Sequence, residues 1–385
     1  MKQVTKFYLT SFLKNQTYFT PILILFLQLH HLNFKEIFWI FTIGSIFSLI
    51  IEIPTGIFAD LYGKRRSIII SKFGIFLSYV LFGFSNNFWM FLLSQLLYEL
   101  GNSFRTGTET AYAFDYLKQN PKNPTYTEVK GKQKYYARIS ESLAALVGGF
   151  LAKSFGYNIV FFIAAVPALF NYFLSITWVK IKEHSHKENN LKGSFKHGIS
   201  SIKQISKNKS LFKITANIMV FAAIVAALSK FIQPYMIDAK VPIEMFGIIY
   251  SIALGLAAVV VRYSHLIEKK FGTIKTINLM SIIGIIPLFV LGLGHVSIVG
   301  VILFFVVIII ENIRSPIANN EFHNLVHSKQ RATLGSILEL SKSLGKIVIL
   351  PIMGYFADLF SIYMAILMLG IILIFNSVFF YVKKV

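Results

Sequence analysis

Glu52-Ile-Pro-Thr-Gly-Ile-Phe-Ala-Asp-Leu-Tyr-Gly-Lys-Arg-Arg66 decides how this chain is read. The stretch begins inside a long apolar run, carries an acid into it, and interrupts it with Pro54 and Gly56. It ends in Asp60, Gly63 and the consecutive cations Lys64, Arg65 and Arg66. This is the pattern of a helix leaving a membrane, with cations collecting where the apolar run stops.

The composition agrees. Of 385 residues 55% are apolar and only 14% charged, with mean hydropathy +0.64, which is too apolar for a soluble domain. The formal net charge of +21 is spread over short segments between apolar runs. It therefore reads as membrane topology, with a lipid bilayer as partner and no nucleic acid. The chain has no cysteine, which excludes disulfides, thiol catalysis and Cys-based metal sites. No nucleotide loop, metal cluster or nucleophile with a base is present, so neither an enzyme nor a cofactor is expected.

Runs of roughly 18 to 25 apolar residues match the hydrocarbon thickness. About twelve are found, near 7–29, 36–59, 67–84, 87–111, 135–157, 158–180, 211–237, 244–265, 273–294, 296–319, 334–357 and 361–382. The fold class expected is all-α integral membrane, with about 12 transmembrane helices in two pseudo-symmetric six-helix bundles, at 1–180 and 211–385. Residues 181–210 form a basic central loop between them. With both termini cytoplasmic, one side holds roughly 27 Lys and Arg and the other about three, as expected for an inner-membrane protein. In the central loop Ile199, Ile202 and Ile205 share a helical face with Lys196, Lys203 and Lys207 around it. This fits either a short helix on the inner leaflet or a solvated linker. His184 and His186 alone make no metal site.

The halves echo one another. Lys35-Glu-Ile-Phe-Trp-Ile, opening the second span, has a counterpart in Glu244-Met-Phe-Gly-Ile-Ile, opening the eighth. Gly149-Phe-Leu-Ala-Lys-Ser-Phe, ending the fifth, parallels Gly354-Tyr-Phe-Ala-Asp-Leu-Phe, ending the eleventh. Internal repeats of this kind are expected of transporters.

Ionisable residues at bilayer depth are costly and so mark candidate function. Glu52 lies eight residues before Asp60, about 12 Å along the helix, and Glu99 lies near the midplane of the fourth span; both are candidates for proton or substrate work. Arg105 and Glu109, four apart, are expected to share a helix face and neutralise one another. Glu311 and Arg314 repeat the arrangement in the tenth span, followed by Pro316. Glu339, Lys342 and Lys346 share a face of the eleventh, where Glu339 can satisfy only one lysine.

The spacing from Gly56 to Arg65 resembles the signature loop of the major facilitator superfamily, G-x-L-A-D-x-x-G-R-K, with Phe58 in place of Leu and Lys64 in place of the first Arg. Arg331-Ala-Thr-Leu-Gly-Ser-Ile, together with Glu52-x-Pro54-x-Gly56, resembles its bacterial drug-efflux-like branch. The resemblance covers essentially the whole chain. It implies a gate in which Asp60 and Lys64 form a charge cluster with Asp115. Two departures stand out: Ala144-Ala-Leu-Val-Gly148-Gly149 keeps the closing glycines of the family's helix-five motif but lacks its proline, and Gly107 follows Arg105 by two residues instead of three. The function implied is export of a small amphipathic, drug-like compound by alternating access, as an antiporter for protons. The alternatives are an uncoupled facilitator or importer of a nutrient or organic anion, with Arg105, Lys342 and Lys346 as counter-charges, and a non-transporting membrane sensor or lipid-handling protein.

Overall fold

Apolar runs without room for a closed barrel satisfy their backbone only as helices, and the computed structural model shows helices and no strand among the described residues. It describes residues 1–181, 208–294, 296–326 and 331–382. The central-loop features named above, Ile199, Ile202, Ile205, Lys196, Lys203, Lys207, His184 and His186, lie outside the described residues. The helices are α1 Gln3–Leu13, α2 Leu23–Leu29, α3 Phe34–Tyr62, α4 Lys64–Phe84, α5 Phe88–Arg105, α6 Thr108–Gln119, α7 Tyr126–Phe155 and α8 Tyr157–Ile176. The second group is α9 Lys209–Asp238, α10 Ile243–Arg262, α11 Ser264–Phe271, α12 Thr273–Ile283, α13 Ile285–Gly292, α14 Ile298–Asn324, α15 Arg331–Leu359 and α16 Ile362–Phe379. Nine helical stretches among the described residues are long and apolar enough to cross a membrane.

Two expected spans of the first half are broken. The run 7–29 is interrupted from Lys14 to Ile22, between α1 and α2. Pro21 has no N–H to continue the ladder and disfavours helical geometry in the residue before it. The run 87–111 is interrupted between α5 and α6, where Gly107 takes φ +74°, a left-handed conformation that glycine adopts without a Cβ penalty.

The chain divides into two compact units. The first comprises Met1–Leu32, Ile43–Asn189 and Pro242–Gly255, the second Asn33–Thr42, Asn190–Val241 and Leu256–Val385. Each takes in a short helix beginning from the other part of the sequence. In the first unit, small residues let backbones approach, as is usual for membrane helices. A Cβ on Gly101 would lie 2.9 Å from the Ser71 carbonyl oxygen, joining α5 to α4, and one on Gly149 would lie 2.7 Å from the Ile243 carbonyl, joining α7 to α10. One on Gly148 would overlap the Tyr18 carbonyl in the α1–α2 break. Lys153 pairs with Glu244, and the Ser142 and Ser251 hydroxyls meet at 2.7 Å. Phe7 makes edge contacts with Tyr112, Tyr116 and Trp178, closing one end of this core.

In the second unit the repeat reappears as structure with its chemistry changed. A Cβ on Gly354 would lie 2.9 Å from the Phe34 carbonyl. Asp358, four residues on, accepts from the backbone N–H groups of Phe34 at 2.9 Å and Lys35 at 2.7 Å. Asn33 and Glu36 exchange reciprocal side-chain bonds at the same helix start, a capping box. The α3 N-terminus is therefore satisfied by a carboxylate from α15, where both the free N–H groups and the helix dipole favour negative charge.

Candidate functional site: a cationic cavity at two helix breaks

Irregular backbone at membrane depth is tolerated only where protein buries it or where it lines a polar cavity. Both breaks of the first unit meet such a cavity. A space of about 500 Å³ is lined by Ser11 and Lys14 at the end of α1, by Arg105, Thr106, Gly107, Glu109 and Thr110 across the α5–α6 break, and by Tyr126, Lys130, Gln133, Lys134 and Ala137 of α7. A small adjoining cavity is lined by Lys14, Lys72, Tyr79, Tyr98, Arg105 and Asn171, among others.

Glu109 is the acid on which this site turns. It is buried in the first turn of α6, where the helix dipole favours a carboxylate. Its Oε2 lies 3.3 Å from Lys72 Nζ and 3.9 Å from Lys14 Nζ. Lys72 is buried on α4, with 2% of its side chain exposed. The expected Arg105–Glu109 pair within one helix is corrected: Gly107 turns the backbone, the four-residue register is lost, and Arg105 donates to the Asn102 side chain instead. Four cationic side chains and one carboxylate line the larger space. Lys130, placed before the apolar part of α7, is held below the ordinary lysine range by burial, with Glu109 acting in the opposite direction and Lys134 reinforcing it.

Other charged residues stand elsewhere. Lys64 Nζ pairs with Asp115 at 2.6 Å, with both side chains partly exposed. Arg65 donates to the carbonyls of Trp178, at 2.7 Å, and Ile176. Gly63 opens α4 with φ +97°, and Gly56 has open space where a Cβ would stand. Asp60 and Glu52 are exposed. Glu99 accepts from Gln95 Nε2 at 2.9 Å. Neither Glu52 nor Glu99 lines the two cavities described.

In the second unit Arg314 is fully buried, with every guanidinium nitrogen donating a hydrogen bond. It donates to Glu311 at 3.1 Å, to Ser281 Oγ at 3.1 Å, and to the Asn217 carbonyl at 3.2 Å and side chain. Its guanidinium carbon lies 4.3 Å from the centre of the Phe221 ring. This geometry ties α9, α12 and α14 together. Lys342 pairs with Glu339 at 2.7 Å on an exposed edge of α15, and Lys346 is half-buried one turn further on.

Lys72 is the residue that sequence reasoning missed. The signal was present: a lone cation eight residues past Lys64, inside the apolar run 67–84, which the intramembrane-charge rule marks. Its proximity to the basic loop hid it.

A family model described as the Major Facilitator Superfamily matches residues 8–320. The chain is 22% identical over 359 residues to the "Uncharacterized MFS-type transporter YxaM" of Bacillus subtilis (strain 168), covering 89% of this chain and 86% of that protein. It is 29% identical over 141 residues to the "Multidrug resistance protein MdtG" of Rahnella sp. (strain Y9602), covering 37% of this chain and 33% of that one. The crystal structure of the nucleoside transporter NupG superposes with TM-score 0.81 at 14% identity, covering 99% of this chain and 98% of that one; this likeness is one of fold.

Proposed function

Because the chain belongs to the major facilitator superfamily, we propose that it works as a secondary transporter exporting a small amphipathic compound by alternating access in exchange for protons. It is a multi-pass membrane transporter. We place it in the cytoplasmic membrane with both termini inside, on the distribution of Lys and Arg. The observation that carries the reading is the polar cavity at two helix breaks, with Glu109 buried between Lys72 and Lys14. A packed helical scaffold has no use for a charged opening of this size, whereas transporters place solute and coupling sites at discontinuous helices. A volume near 500 Å³ is also within the range of small-molecule sites. The similarity to a multidrug resistance protein supports the export direction. In this reading proton coupling runs through the Glu109–Lys72–Lys14 cluster, ahead of Glu52 and Glu99, because Glu109 and Lys14 line the cavity and Glu52 and Glu99 do not, and Lys64 with Asp115 serves as a gate.

The test is proton movement in inside-out vesicles with an acid interior, challenged with cationic, neutral and anionic compounds. At least one compound is expected to dissipate the gradient in wild type and to fail in Glu109→Gln, while Glu52→Gln and Glu99→Gln retain coupling. A gradient untouched by the whole panel overturns exchange for protons. Full coupling in a well-folded Glu109→Gln protein overturns the assignment of coupling to this cluster.

A further inference from the structure

The cavity carries more positive charge than its one acid balances. Lys14, Arg105, Lys130 and Lys134 line it against Glu109, and Lys72 stands behind Glu109 at 3.3 Å. Charges of one sign in a partly desolvated cleft repel one another and draw counter-ions in. A cationic solute would add to that repulsion, and a neutral one would leave it in place. Gln133 supplies a second, independent mark. It lines the same cavity, is 7% exposed, and donates from Nε2 to the Phe7 carbonyl at 3.3 Å, while its Oε1 is buried without a hydrogen-bond partner. A buried acceptor left unmatched costs free energy, and a small turn of the Gln133 amide toward the cavity would let a ligand hydroxyl remove that cost.

We propose that the solute of this cavity is a small hydroxylated organic anion, its carboxylate or phosphate oxygens held by Lys14, Arg105 and Lys130 and its hydroxyl donated to Gln133. The proposal rests on the transport reading above for its physiological meaning but not for its binding chemistry. Arg105, at the end of α5, offers a planar fork suited to two oxygens of one oxyanion. Lys14 and Lys130 approach from separate helices, so the anion would join α1, α5 and α7 around one charge.

The experiment uses the full chain in phosphatidylcholine nanodiscs at fixed ionic strength, with thermal unfolding followed against added glycerol 3-phosphate, citrate and lactate. Glycerol and lactamide serve as uncharged counterparts. A ligand that binds the folded state raises its unfolding midpoint. At least one anion is expected to raise the midpoint by several degrees while the uncharged compounds do not. Lys14→Gln and Lys130→Gln should each raise the half-effective concentration by about ten-fold or more, the range for a lost charge-assisted bond. Lys132→Gln, whose side chain pairs with Glu128 outside the cavity lining, should bind as wild type, and Lys14→Arg should recover most of the affinity. No protection by any anion, equal protection by the uncharged compounds, or unchanged affinity in both Gln variants overturns the proposal. A parallel arm replaces one fifth of the lipid with phosphatidylglycerol. Stabilisation there alone, abolished by Lys14→Gln, would assign the site to a lipid headgroup and overturn the soluble anion. Proton flux with non-anionic compounds despite failed anion binding would leave the transport reading standing. Anion binding without flux of any kind would do the reverse.

Discussion

Arg314→Met removes the buried cation that ties α9, α12 and α14 together, and its cost can be worked from the contacts. Three bonds run to neighbouring helices, two to Asn217 and one to Ser281 Oγ. Interhelical hydrogen bonds in membranes average about 0.6 kcal/mol each, giving about 2 kcal/mol for the three. Glu311, with 15% of its side chain exposed, is then left without its cation, and stranding a buried polar group adds about 1–3 kcal/mol. The total, about 3–5 kcal/mol, agrees with the usual cost of removing one partner from a buried ion pair. Methionine keeps much of the contact with Phe221, so packing loss is a small part. The assay is equilibrium unfolding in mixed micelles, comparing wild type, Arg314→Met, Glu311→Gln and the double variant. The double variant should recover about 1–3 kcal/mol relative to the sum of the singles, because the stranded carboxylate is gone. A loss in Arg314→Met under about 1 kcal/mol, or strict additivity in the cycle, would refute a structural role for this arginine. The residue would then return to the list of candidates for solute contact.

Two further expectations concern packing and the basic loop. Gly149→Val should lower the monodisperse yield and the thermal midpoint sharply, since its Cβ would fall 2.7 Å from the Ile243 carbonyl. Gly56→Ala should be tolerated or stabilising by up to about 1 kcal/mol, as glycine is the poorer helix former; equal behaviour of the two variants would show that the close approach at Gly149 is unimportant. Asp115→Asn should change unfolding free energy by about 1 kcal/mol or less, because the Lys64 pair is partly exposed. A much larger, salt-insensitive loss would mean that the pair is effectively buried.

How much of this could be read in advance depended on whether a residue acts within one helix or between helices. The loop around Gly63 and Lys64 was legible because a glycine with positive φ and a run of cations are local requirements; the Lys64–Asp115 pair followed only from the family resemblance. Glu311 and Arg314, three apart in unbroken α14, paired as helix geometry dictates. Arg105 and Glu109 did not, although their spacing is just as favourable, because Gly107 ends one helix and starts another. That break was visible only as a departure from a motif. Lys14 and Lys72 reach Glu109 from α1 and α4, and side-chain convergence across three helices depends on rotations that no single helix records. The repeats at Gly149 and Gly354 were legible as sequence, while their differing chemistry, an ion pair in one and a helix cap in the other, was not.

The meeting of Ser142 and Ser251 has a practical consequence. The two hydroxyls, on α7 and α10, lie 2.7 Å apart, and the chain contains no native thiol. Changing both serines to cysteine would place two sulfurs near bonding distance in an otherwise silent background, so an oxidant becomes a reporter of contact. The fraction cross-linked after a brief pulse would report the share of molecules in which these helices lie together, and a change in it on adding a solute would show whether they part, without any label larger than one atom.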